Sequence, residues 1–165
     1  MKKAFACVLF AVCSLCVFAQ AQPRQILSDR DIDSFVKNYE TIMETLDEHE
    51  DEFSALAEGL DTAEGDERTR GLMKLLGAPV SKELQAALSR QGMGNNGFAK
   101  TMTILFGLIM VALEDGLLDA DNSDEEERAE AEEQIALFRK AMNGADVKLI
   151  SQRKNELMPL LGHGF

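Results

Sequence analysis

The chain has no tryptophan, one tyrosine and three prolines, and its three cysteines, Cys7, Cys13 and Cys16, all fall within the first sixteen residues. The rest of the sequence is therefore free of cysteine. That excludes a disulfide framework, thiolate metal sites and cysteine nucleophiles together. Only His49 and His163 are histidines, so a transition-metal site would lack its commonest ligand. No G-x-S-x-G or Walker loop is present, and no stretch alternates apolar and polar residues as a half-buried strand does. A repeat of 20–50 residues is also missing. Scarcity of aromatics leaves Leu, Ile, Met, Ala and Phe to build a core.

Basic charge is the other shortage. With 29 acidic and 17 basic residues the net charge is −12. Such a balance disfavours nucleic acid and anionic membrane surfaces, which are bound through basic patches, and favours cations or basic partners.

What is present begins with a bacterial-type export signal. Lys2 and Lys3 form a positive start, Ala4 to Phe18 an apolar segment, and Ala19-Gln20-Ala21 a small-residue cleavage site. Residues 1–21 are read as a cleaved signal peptide and 22–165 as one domain, in keeping with its length. Loss of Lys2 and Lys3 with an acid-free leader takes the charge to −14. The expected compartment is periplasmic or secreted. Lipid anchoring at Cys16 is the lesser alternative, because Leu15 stands where a small residue is wanted.

The run Thr101 to Leu113 is uncharged and apolar on every side. A helix of that kind is buried in a core or spans a membrane. Thirteen uncharged residues between Lys100 and Glu114 fall short of the about 20 a span needs. The expectation is an all-α, single-domain bundle of five or six helices around a buried central helix at about 98–118, with no membrane span after signal cleavage. Ser28 with Asp31 marks a helix start. From there Ile32, Phe35, Tyr39, Ile42 and Leu46 recur at helical spacing, and Phe53, Leu56 and Leu60 resume the register. The spacing predicts one long helix over 29–60, or two hinged near Asp47 to Asp51, around His49, the one missing step in the apolar seam. Gly77 and Pro79 stop a helix over 67–76, Ser81 caps a short one, and Asn96 caps the central one. A helix through Ile135 and Phe138 closes at Asn143-Gly144. The last helix is expected to be capped by Asp146 and stopped by Pro159.

Two stretches carry chemical patterns. Gly92-x-Gly94-x-x-Gly97 has the letters of a dinucleotide fingerprint but no strand before it, so a helix–helix turn is the expectation. Asp119, Asp121, Ser123, Glu125, Glu127 and Glu130 have the 1, 3, 5, 7, 9 and 12 spacing of a calcium loop between two helices. Asp124 replaces the usual turn glycine and Glu126 the usual apolar residue. Ser123 and Glu126 equally make an ordinary capping box. No cofactor is expected beyond a weak calcium ion on Asp119, Asp121, Ser123, Glu125 and Glu130. Methionines on apolar stripes read chiefly as core. A stripe around Met43, if exposed, would offer a groove for an apolar ligand or an unfolded protein chain. The C-terminal cations Arg139, Lys140, Lys148, Arg153 and Lys154 would either orient a partner or pair internally. The expected function is non-catalytic: an exported binding or interaction protein taking a protein or an apolar ligand, with no enzyme activity. The alternatives are a weak calcium-binding protein and a hydrolase with a carboxylate pair that the sequence does not locate.

Overall fold

The computed structural model describes residues 23–54, 57, 60, 63, 65–119 and 125–161, and every regular element among them is helical. Helix α1 (Asp29–Lys37) starts where Ser28 meets Asp31: the Asp31 carboxylate accepts the Ser28 backbone N–H at 2.9 Å and its hydroxyl at 2.6 Å. Helix α2 (Tyr39–Glu48) follows after a single non-helical residue, Asn38. A one-turn 3₁₀ segment, Glu50–Glu52, comes next. Helix α3 (Gly65–Leu76) ends at Gly77 as expected, and α4 (Lys82–Leu88) is capped by Ser81, whose hydroxyl accepts the Leu84 N–H at 3.1 Å. A π-helical turn, Ser89–Met93, leads to the central helix α5 (Gly97–Asp119). Helices α6 (Glu125–Ala141), α7 (Gly144–Gln152) and α8 (Lys154–Leu161) complete the domain.

There are eight helices among the described residues rather than five or six, and the excess comes from two unforeseen breaks. At Asn38 the side-chain amide donates to Ser34 O at 3.0 Å and to Gln91 O at 2.9 Å, which turns the chain against the π-helical segment. Asparagine side chains offer the backbone this alternative to a helix. The apolar stripe survives the break, since Ile32, Phe35, Tyr39, Ile42 and Leu46 are all buried. At His49 the hinge alternative holds. The second unforeseen break is at Arg153, so a new helix begins at Lys154 and Pro159 sits inside its last turn instead of stopping it. Asp146 is not the cap of α7. Asn143 holds that place, its side chain accepting the Ala145 N–H at 2.8 Å.

Helix α5 packs against α1, α3, α4, α6, α7 and α8. Phe98, Ile104, Leu108, Met110 and Val111 are essentially inaccessible. The stretch Gly97–Gly116 is 20 residues long with mean hydropathy 1.6, long and apolar enough by composition to cross a bilayer and longer than its uncharged core suggests. Here it is the core helix of the bundle, with 61% of that stretch buried. Closest approach falls at Gly107, where an added Cβ would lie 2.3 Å from Ile150 Cδ1 and 3.1 Å from Met142 Cε. Gly107→Ala should therefore destabilise by about 1–3 kcal/mol through overpacking, despite alanine's helix preference of about 1 kcal/mol. Ile150→Val, which removes the clashing methyl, should recover stability in the Gly107→Ala background while costing about 0.5–1.5 kcal/mol alone. Urea melts of the four-protein cycle check this. Simply additive losses would contradict the close approach.

Candidate functional site

Not all of the wrapping around α5 is helical. Residues Pro23 to Ser28 run as a strap without helix, and Gly77 to Ser81 link α3 to α4 in the same way. The strap is pinned from α7. Asp146 accepts the backbone N–H of Ile26 at 3.1 Å and of Leu27 at 2.9 Å, and the Asn143 amide donates to Pro23 O. Asp146 is 1% exposed. Burial pushes its carboxyl above the ordinary value of 3.8, the Leu27 and Ile26 N–H groups oppose that shift, and the charge of Asp31 adds to it. Asp31 itself accepts the Lys100 ammonium at 2.7 Å, and Lys100 also donates to Met93 O at 3.2 Å. This part-buried pair joins α1 to the first turn of α5.

Between strap and linker lies a groove of about 670 Å³. Its apolar walls come from Ile26 of the strap, Met73 and Leu76 of α3, and Val80 of the linker. Phe98 and Thr103 of α5 form the floor, and Met142, Asn143 and Asp146 the far end. Met73, at 38% exposure, is an exposed large hydrophobic residue on this rim. The size lies within the about 300–1,000 Å³ of small-molecule sites, and the lining sets Arg24, Gln85, Asn96, Thr103, Asn143 and Asp146 among the apolar side chains. One carboxylate lines it. Asp31 feels Asp146 electrostatically but is not part of the lining, so this groove does not enclose a carboxylate pair.

The sequence-expected sites are distributed differently. The side chains of Asp119, Asp121 and Ser123 lie outside the described residues. Glu125 and Glu130 are exposed on α6. Five residues apart, they are separated by roughly 140° around the helix. Among the described residues no cluster of three or more His, Cys, Asp or Glu side chains is arranged to hold a metal. The three glycines of the 92–97 motif serve packing and turning. Gly92 and Gly94 have positive φ of 91° and 63°, and a Cβ on Gly97 would lie 2.8 Å from Leu88 Cβ. Lys100, which could have received an anion there, is already bound to Asp31. Met43 packs against the core, so the groove forms at Met73 and not on the α2 stripe.

His49 and Ser81 both bond to Glu52. Its carboxylate accepts the Ser81 N–H and hydroxyl, each at 2.7 Å, and lies 2.8 Å from His49 Nδ1. These contacts, led by the Ser81 N–H, hold Glu52 below its ordinary value of 4.5. The carboxylate stands between serine and histidine, so the histidine is not bonded to the hydroxyl as a general base would be. The group caps α4. Of the five C-terminal cations, Arg139 bonds Glu114, Lys140 lies near Asp66, Lys154 bonds Asp115, and Arg153 bridges Asp29, Asp33 and Glu156. Internal pairing is what the structure gives for these four.

No family model, no characterised protein and no solved structure is similar to this chain. The groove is thus interpreted from its own residues. Sequence inspection missed Asp146, Asn143 and the strap as a wall. The one available signal was an acid in the first turn of a helix already capped by Asn143.

A pH series isolates Asp146. Its raised carboxyl means that the folded chain holds this proton to higher pH than the unfolded chain does. The resulting stabilisation is fully present below about pH 3.8 and is lost as pH rises through the raised value. Glu52 acts oppositely: its contribution is present above 4.5 and is lost as pH falls through its lowered value. The stability of wild type minus that of Asp146→Asn should therefore fall as pH rises from about 3.8 through the raised value. Chemical denaturation at each pH measures it, and a difference that grows with pH would contradict the assignment.

Proposed function

We propose that this is an exported, non-catalytic binding protein, and that it binds the apolar part of its ligand in the groove between strap and linker. The observation that carries the proposal is the exposed, methionine-edged apolar wall continuous with the floor at Phe98. A helical domain has no need to leave such a face open, and methionine suits an adaptable contact with apolar ligands. The export signal supports a place outside the cytoplasm. The surplus of acids supports solubility there and gives nucleic acid no basic surface.

Titration with decan-1-ol, a neutral apolar chain, tests this through ¹³C-methyl resonances of the methionines. Met73 and Met142 should shift together, while Met110, inaccessible in the core, should not. At about 0.5 kcal/mol per non-hydrogen atom the dissociation constant would be on the order of 10⁻⁴ M. Met73→Glu with Val80→Glu should weaken binding at least about tenfold without unfolding the domain, since neither side chain is fully buried. Absence of shifts at saturating decanol, or equal shifts at all methionines, would sink the proposal.

A further inference from the structure

An apolar chain alone leaves one feature of the groove unused: a buried carboxylate with no cation. Asp146 lines the groove at 1% exposure, and its bonds are with backbone N–H groups, which are neutral. No ammonium or guanidinium among the described residues pairs with it. Lys100, on the floor helix, is bound to Asp31 and to the Met93 carbonyl. Asp146 thus senses the charge of Asp31 while the ammonium beside them pairs with Asp31 alone, and the one cation in the groove lining, Arg24, is exposed. Removing such a charge from water without a counter-charge is unfavourable. The oxygen Oδ2 takes only the Ile26 N–H at 3.1 Å, while a carboxylate oxygen can accept about two hydrogen bonds.

The geometry points to an amphipathic cation as the ligand class: a primary ammonium seated on Asp146, its apolar chain lying along Met73, Leu76, Val80 and Phe98. This inference rests on the groove as the binding site and names the head group it selects. Apolar walls strengthen the ion pair by lowering the local dielectric. The net charge of −12 draws cations toward the protein from a distance. The groups acting on Asp146 are Asp31 on α1 and the Ile26 and Leu27 N–H groups of the strap, with Lys100 of α5 held on Asp31 and Arg24 on the groove lining. Arg24 is exposed, so solvent screens its opposition. A bound ammonium favours the ionised carboxylate. Affinity for it therefore rises as pH climbs above about 3.8 through the raised value.

The test compares three ligands with one tail, decylammonium, decan-1-ol and decanoate, by calorimetry on the exported protein at pH 7 and physiological salt. Decylammonium should bind at least about tenfold more tightly than decanol, the scale of a charge-assisted hydrogen bond, and decanoate should bind most weakly. The preference for the cation should shrink as pH is lowered to 4, and Asp146→Asn should abolish it while leaving decanol binding in place. If Asp146→Asn does not fold, the three-ligand order and its pH dependence in the wild type decide. Equal binding of amine and alcohol overturns the inference and leaves the groove reading standing. A preference for decanoate, which would make Arg24 the selecting group, overturns it too. So does an ammonium preference that survives in Asp146→Asn, because general surface acidity would then explain it. If none of the three binds, the groove reading falls and this inference with it.

Discussion

Helix α5 has no polar face, and the rest of the domain is a solution to that constraint. Each large apolar side chain taken out of water along it contributes about 1.5–3 kcal/mol. A helix cap contributes about 1 kcal/mol, and an exposed ion pair such as Arg139–Glu114 or Lys140–Asp66 about 0–1. Burial of α5 therefore dominates, and the surrounding helices are placed by where they can cover it. Gly107 shows how closely: the absence of a single Cβ lets Ile150 of α7 reach the helix backbone. Lys100 obeys the same constraint, because a charge near the covered end of α5 requires Asp31 beside it.

Coverage by helices is incomplete where the strap and the α3–α4 linker run. Helices satisfy their own backbone; extended segments do not, and each must find partners. Asp146 and Asn143 supply them for the strap. That arrangement accounts for an acid buried in the first turn of a helix that is capped by its neighbour three residues earlier. It also leaves an apolar channel between two segments too narrow to close over it. The functional proposal and its head-group extension both derive from this one place, where coverage of the core stops short.

Much of the fold was legible because it is written in local periodicity. The five-residue stripe from Ile32 to Leu46, the stop at Gly77 and Pro79, and the extent of α5 all follow from spacing within one or two turns. What was illegible depends on residues far apart in the chain. The break at Asn38 needs Gln91, 53 positions away. Asp146 reads as a cap until the strap, 119 positions earlier, brings the Leu27 N–H to it. The groove could not be read at all, since its walls are four separate segments and its apolar residues resemble any other core positions. The acidic run after Leu118 presents the reverse case. It has the letters of a calcium loop, but its first half lies outside the described residues, and from the seventh position, Glu125, the chain is helical.

Amide hydrogen exchange of Ile26 and Leu27 tests most directly whether the strap is held on Asp146 and so bounds the groove. The structure predicts protection at these two amides, lost in Asp146→Ala while the amides of residues 104–111 remain slow. Exchange of Ile26 and Leu27 at the rate of an unstructured chain in the wild type would mean that the strap is not held there. The groove would then lack a wall, and the binding proposal its site.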